Sequence, residues 1–319
     1  MTSADNELPG VPDDGIRVVP VDAVTTEIVA AAKGAMTVAV CLPARDEAST
    51  IGAICEEIRS SLMSPAATIV DELVVIDDQS SDSTAAVAAD AGARVVSVSD
   101  VLAGEGPGRG KGNVLWKSVA ATDADLIVFC DADLHSFGPH YITRLVGPLV
   151  LDESVQLVKG FYERLLGGQP GEGGRTTELV ARPTLSLMFP RLATVQQPLG
   201  GEYALRRTAA ERLPFVEGYG VDIALLIDTD RRWGTGAIVQ VDLGERAHRN
   251  RPLHELSVQA AEILHTVLAR AGVVDEPGWS RVLIRPGRTP VEIDVSERRP
   301  LLDVDEYVAG RPSAAGSRP

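Results

Sequence analysis

The sequence predicts an α/β fold, a Rossmann-like and mostly parallel sheet flanked by helices, on three observations. Short apolar, β-branched runs alternate with helix-like stretches between Met36 and Cys130, which is the order of repeated βαβ units. Each of three runs is followed at once by a polar cluster, at Arg45–Glu47, Asp77–Ser81 and Asp131–Asp133. Parallel sheets bind ligands outside the carboxyl ends of their strands, so these clusters are expected to meet on one edge. The 319 residues are 45% hydrophobic and 24% charged, a globular mixture that rules out a wholly disordered chain and supplies a sizeable core.

Taken in order, the segment to about Thr26 is acidic and punctuated by Pro and Gly, and is expected to be a flexible arm. Met36–Leu42 reads as a buried parallel strand. Ile51, Ile54, Cys55, Ile58 and Leu62 then fall at helical spacing. Leu73–Ile76 is a second strand, and the Ala-rich stretch after it suits a helix capped by Ser81, Asp82 or Ser83. Val95, Val96 and Val98 suggest a third strand, Lys111 to Ala121 a helix, and Leu126–Cys130 a fourth buried strand. Glycines and Arg175 break the chain over Gly167–Arg175. Helices follow near Thr177–Met188 and Val221–Arg232, with a strand at Ile238–Leu243. From about Val282 the sequence turns Arg/Pro-rich and reads as a disordered tail.

Charge and cysteine content narrow the function classes. Thirty basic against 45 acidic residues leave a net charge of −15, which argues against nucleic acid and against adsorption to an anionic membrane. A small anionic substrate held by a few placed cations remains compatible. Cys41, Cys55 and Cys130 are too few and scattered for a disulfide framework or a zinc site. The acidic start is no signal peptide, and no apolar run approaches the ~20 residues of a membrane span. The expected location is cytoplasmic.

Five segments carry candidate chemistry. Asp131-Ala-Asp133 ends an apolar strand with two carboxylates that can address one hard cation, Mg²⁺ or Mn²⁺, bridging to substrate phosphates; the alternative is a polar turn capping the next helix. Asp77-Asp78 repeats the pattern one unit earlier, where an acidic residue can accept from a base or ribose. Gly104-Glu-Gly-Pro-Gly-Arg-Gly-Lys-Gly112 is glycine-rich, with Arg109 and Lys111 able to hold a diphosphate. Its spacing fails G-x-G-x-x-G, which would need a glycine at Arg109 or at Lys111, and it fails the P-loop, because Gly112 replaces the Ser/Thr after Gly110-Lys111. Alone it reads as a flexible surface loop. Gly173-Gly-Arg-Thr-Thr-Glu178 sets an Arg and two hydroxyls at a helix start, a phosphate or carboxylate site or a simple N-cap. In Arg246-Ala-His-Arg-Asn-Arg251, His248 is a metal ligand or a solvated histidine.

Together, Pro43-Ala-Arg-Asp-Glu47, Asp77–Ser81, Gly110-Lys111 and Asp131-Ala-Asp133 resemble a glycosyltransferase of the GT-A fold. Gly173–Pro183, Gln197-Pro-Leu-Gly-Gly-Glu-Tyr203, Gly218-Tyr-Gly-Val-Asp222 and Arg246–Pro252 resemble, more narrowly, the actinobacterial glucosyl-3-phosphoglycerate synthase family. The resemblance covers about Thr37 to Leu256 and implies transfer of glucose from UDP-glucose to the 2-hydroxyl of 3-phosphoglycerate, with retention and a divalent metal, Mg²⁺ or else Mn²⁺ or Co²⁺. It implies a nucleotide-sugar region over residues 31–150 and an acceptor region over 151–281, between the arm (1–30) and the tail (282–319). By analogy it implies a homodimer. Pro43, Ala44, Arg45, Glu47 and Ser81 would bind the donor nucleotide. Lys111 would approach its diphosphate or sugar, and Asp131 its ribose or sugar. Asp133 and His248 would hold the metal. Gly174, Arg175, Thr176, Thr177 and Asn250 would grip the acceptor, while Tyr219, Asp222 and Arg246 would surround the sugar; Lys111, Asp131, Asp222 and Arg246 form the implied catalytic set. Glutamate is expected at 222 in glucose-using members, and the aspartate here is one methylene shorter. A GDP-mannose-dependent transferase on the same scaffold is the alternative. The intact acidic and basic set argues against a silent nucleotide-sugar-binding module, and polyprenyl-phosphate transfer is disfavoured without a membrane anchor.

Overall fold

A computed structural model describes residues 15–64, 68–166, 169–170, 174–247, 253–274, 280–293 and 295–311. Its strands, in chain order, begin with β1 (Arg17–Val19), β2 (Val38–Ala44), β3 (Glu72–Asp77), β4 (Arg94–Ser97) and β5 (Leu126–Phe129). They continue with β6 (Leu157–Leu166), β7 (Gln169–Pro170), β8 (Tyr203–Arg206), β9 (Phe215–Val216) and β10 (Ile238–Ala247). The helices are α1 (Thr26–Lys33), α2 (Ile51–Leu62), α3 (Thr84–Asp90), α4 (Gly110–Ala120) and α5 (His140–Leu151). They are followed by α6 (Arg182–Met188), α7 (Arg207–Ala210), α8 (Val221–Trp233), α9 (Leu253–Arg270) and α10 (Asp305–Gly310).

The main sheet runs β1-β10-β6-β8-β5-β2-β3-β4, with β7 beside β6. β5, β2, β3 and β4 pair in parallel, as do β1, β10 and β6; β8 lies antiparallel between the two groups. The carboxyl ends of β2, β3, β5, β6 and β10 therefore share one edge. Successive strand residues point to opposite faces, and here both faces are covered. Val40, Leu42, Val75 and Val128 join one core cluster with Ile54 and Ile58 of α2 and Leu145 of α5. Cys41, Val74, Ile76, Ile127 and Phe129 join the other with Leu115 and Trp116 of α4 and Leu226 of α8. Burial on both sides is why these strands read as unbroken apolar runs. All three cysteines are free and buried.

Local boundaries follow side-chain chemistry. α3 starts at Thr84; Ser83 holds the N-cap position without a side-chain cap bond, and Asp82 Oδ1, one residue earlier, accepts from the Thr84 backbone N–H at 2.9 Å. The helix expected over Thr177–Met188 opens as a π-helical turn, Thr177–Ala181, before α6.

Both ends differ from expectation. The arm expected over 1–30 is structured from residue 15 onward in its described part: β1 pairs with β10, and Val24 and Val29 are buried. Residues 1–14 lie outside the described residues. In its described part the tail expected over 282–319 forms β11 (Val282–Leu283), β12 (Val291–Glu292), β13 (Glu297–Arg298) and α10, with Leu301, Val304 and Tyr307 in the core; residues 294 and 312–319 lie outside the described residues. Strands of two or three residues carry no readable period, so composition alone suggested disorder. The sheet also runs unbroken across position 150, with β6, β8 and β10 continuing it.

Candidate active site

The expected polar clusters do meet at the carboxyl edge. Asp131 and Asp133 follow β5, and Arg246 lies near the end of β10. The Arg246 guanidinium reaches Asp133 Oδ1 at 3.0 Å, Asp131 Oδ2 at 3.5 Å and Glu202 Oε1 at 2.6 Å, and donates to the Tyr162 hydroxyl at 3.0 Å. Lys111, in the first turn of α4, places Nζ 3.4 Å from Asp131 Oδ1 and 3.2 Å from Asp222 Oδ2 in the first turn of α8. Two cations thus knit four carboxylates contributed by different segments. Gly201 makes this close approach possible: a side chain there would collide with Asp131 Oδ1 and Lys111 Nζ.

Burial sets the charges of this cluster against solvation, and the partners decide the outcome. Burial opposes the Lys111 ammonium, yet Asp131 and Asp222 outweigh it and hold the charge on. Burial would likewise raise the Asp131 carboxyl, but Lys111 and Arg246 keep it well below the ordinary range. Glu202, fully buried, is pushed upward by desolvation despite Arg246. Buried charges persist only when paired in this way. Asp222 Oδ1, Glu202 Oε2 and the Tyr203 hydroxyl are buried without a hydrogen bond of good geometry among the described residues. All three are closed off from solvent, and the Tyr203 hydroxyl lies against Asp222.

The residues expected to bind the donor nucleotide are stitched together beside it. Pro43 and Ala44 close β2, and Arg45 forms an exposed pair with Asp78 at 3.7 Å. Asp46, at φ 58°, accepts at Oδ1 from the Ser81 amide (2.7 Å) and hydroxyl (3.0 Å). The Glu47 amide donates to Thr84 Oγ1 at 2.8 Å. Pro43, Ala44, Arg45, Glu47 and Ser81 are therefore brought to the ends of two adjacent strands. Gly174 to Thr177 stand at the amino end of a helical segment, with Thr177 buried and Arg175 exposed. His248 and Asn250 lie outside the described residues, just beyond β10. Tyr219, 39% exposed, sits on the Gly218–Gly220 turn, and its amide donates to Glu262 Oε2 at 2.8 Å.

A family model described as glycosyl transferase family 2 matches residues 39–210. The glucosyl-3-phosphoglycerate synthase of Mycolicibacterium smegmatis is 48% identical over 249 residues, 77% of this chain and 81% of that protein. That of Mycobacterium tuberculosis strain H37Rv is 49% identical over 253 residues, 77% and 76% of the two chains. The chain belongs to the family 2 glycosyltransferases, among the glucosyl-3-phosphoglycerate synthases. Among solved structures, the M. tuberculosis synthase in complex with Mn²⁺, UDP-glucose and phosphoglyceric acid superposes with TM-score 0.78 at 44% identity, over 87% of this chain and 94% of that one. Mannosyl-3-phosphoglycerate synthase of Rubrobacter xylanophilus superposes with TM-score 0.82 at 33% identity, over 90% and 97%.

The glycosyltransferase carries further residues at this site to which the sequence-based expectations assigned no role, Glu202 and Tyr203 among them although they close the Gln197–Tyr203 block. Glu202, Tyr203 and Tyr162 surround Arg246 and Asp222, and Lys159 of β6 lies beneath them. Lys159 donates to the Gly200 carbonyl at 2.6 Å and stands 4.5 Å from the Tyr203 ring centroid. The signal was present: a lysine inside the apolar run Leu157-Val-Lys-Gly-Phe-Tyr162 has to be paired if that run is a buried strand. Arg246, expected beside the sugar, contacts the acidic cluster through both of its terminal nitrogens.

Proposed function

We propose that this glycosyltransferase moves glucose from UDP-glucose to the 2-hydroxyl of 3-phosphoglycerate, with retention at the anomeric carbon. The observation that carries the reading is the cluster in which Lys111 joins Asp131 to Asp222 while Arg246 joins Asp131 to Asp133. It supplies a fixed cation where a departing diphosphate gathers charge and carboxylates where sugar hydroxyls need acceptors. The relatives' complexes with UDP-glucose and phosphoglyceric acid support the same substrates.

The donor set also fits a divalent cation. Asp133 offers a hard oxygen ligand on a side chain that is 50% exposed, and Mg²⁺ or Mn²⁺ sites beside phosphates need only one or two protein carboxylates. Asp133 would hold the ion, with His248 as the second protein ligand. A bound cation there supplies charge neutralisation on the diphosphate. The protein's own residues do the rest. Lys111 stays protonated between two carboxylates and faces the leaving group; Asp222 and Tyr219 orient the sugar. Arg175 and the amides opening the helical segment hold the acceptor's anionic groups.

A mannose donor is the second reading, favoured by the 0.82 superposition on the mannosyl enzyme and by the shorter Asp222 side chain. Offering UDP-glucose and GDP-mannose separately, each with 3-phosphoglycerate and Mg²⁺, decides between them. Transfer from UDP-glucose is the expected result. Transfer from GDP-mannose alone would replace the donor assignment and leave the acceptor site.

A further inference from the structure

We propose that Arg298, in the C-terminal strap, is a positioning residue that holds the two donor-side loops in register. The inference rests on the donor site proposed above, because it concerns Lys111 and Asp222. Lys111 opens α4 at the end of the glycine-rich loop, and Asp222 opens α8 after the turn that follows β9. β13 pairs antiparallel with β9, setting Arg298 opposite Phe215.

From there one guanidinium, 12% exposed, reaches both loops. It donates to the Glu105 carbonyl at 2.6 Å, the Gly106 carbonyl at 3.4 Å and Asn113 Oδ1 at 3.0 Å on the Lys111 side. On the Asp222 side it meets Glu217 Oε1 at 2.7 Å. Its central carbon lies 5.3 Å from the Trp116 ring centroid, and the Trp116 indole N–H donates to the Arg299 carbonyl at 2.9 Å. Ser296 secures the other oxygen of Glu217 at 2.8 Å.

The glycines of the loop are shaped to this contact. Gly108, at φ +57°, would drive a side chain into Arg298 and Asn113. Gly110, at φ +70°, lies so close to the Tyr219-bearing turn that a Cβ would stand 2.8 Å from Gly218 Cα. A fork with five donors can satisfy two carbonyls, an amide oxygen and a carboxylate together, which a lysine cannot. Without it, Glu217 loses its cation and two loop carbonyls lose this donor. The bridge between the loops goes with them, and so does the register that sets Lys111 Nζ 3.2 Å from Asp222 Oδ2. The acceptor-side helix start at Gly174–Thr177 is on a different segment, and none of these strap contacts reaches it.

The test uses the full chain with Arg298→Gln and Arg298→Lys, measuring the KM for UDP-glucose and for 3-phosphoglycerate, and UDP affinity by calorimetry with Mg²⁺ present. Loss of the bridge between the two loops predicts a donor KM and a UDP Kd raised roughly 10-fold in Arg298→Gln, with acceptor KM changed less than about twofold. Arg298→Lys should fall between, because it keeps the charge facing Glu217 and loses the fork. Unchanged donor KM with a lower kcat, or equal rises in both KM values, would overturn the proposal. If Arg298→Gln does not fold, Glu217→Gln reads the same donor-against-acceptor split, and an unshifted donor KM there overturns it too. A wild-type protein that binds UDP yet transfers nothing refutes the functional reading alone; one that binds no UDP refutes both.

Discussion

Lys159 is a cation placed where solvent cannot reach it, and its titration gives a test at the scale of one residue. Burial pulls its pKa down from 10.5 to about 8. Between those values the unfolded chain binds more protons than the folded one, so this residue makes stability rise with pH across that window. Below about pH 8 its full burial cost is present in the folded state. Lys159→Met should flatten the rise, seen as a smaller change in the unfolding midpoint from about pH 8 to about pH 10 than in wild type. An identical pH slope would mean that Lys159 is charged throughout, stabilised by the Gly200 carbonyl and the Tyr203 ring. The sequence could not show this residue's surroundings, since its partners Gly200 and Tyr203 are distant along the chain. By contrast, Asp131 and Asp133 were legible, because strand ends in a parallel sheet predict where side chains converge. Lys111 follows a loop that alone reads as a flexible surface segment, and its role entered through the resemblance.

At the scale of elements, glycines of the loop from Gly104 to Gly112 make close packing contacts that their spacing did not report. They read as a cradle for phosphate or as a flexible surface segment. In the fold, Gly108, Gly110 and Gly112 are the points where α4 and its entry loop press against Arg298, the Gly218 turn and β9. Gly112 lies against the Val216 carbonyl so closely that any Cβ would overlap it. Gly112→Ala should therefore cost about 1–3 kcal/mol in stability, the usual penalty for overpacking, measured by denaturant unfolding. A variant as stable as wild type would show that α4 can slide away from β9 without penalty. The strap itself was not legible: β9 and β13 have two residues each, and their meaning lies in pairing over a separation that no local period reports.

At the scale of the whole molecule, one antiparallel strand, β8, joins two parallel groups into a single sheet, so Asp131 and Asp133 after β5 and Arg246 on β10 share one edge. The alternation of strand and helix made the first group readable from sequence. The second group was harder to read, because β6 and β10 carry Lys159 and Arg246, charges that a buried strand tolerates only once Gly200 and Tyr203 meet the first and Glu202, Asp131 and Asp133 the second. In the proposed reaction this preorganised cluster transfers a sugar to a phosphorylated hydroxy acid without inverting it. NMR of the product formed from UDP-glucose and 3-phosphoglycerate with Mg²⁺ tests that most directly. The expected product is an α-linked glucosyl group on the 2-oxygen with the phosphate intact; a β-linked product, or attachment at any other oxygen, would contradict it.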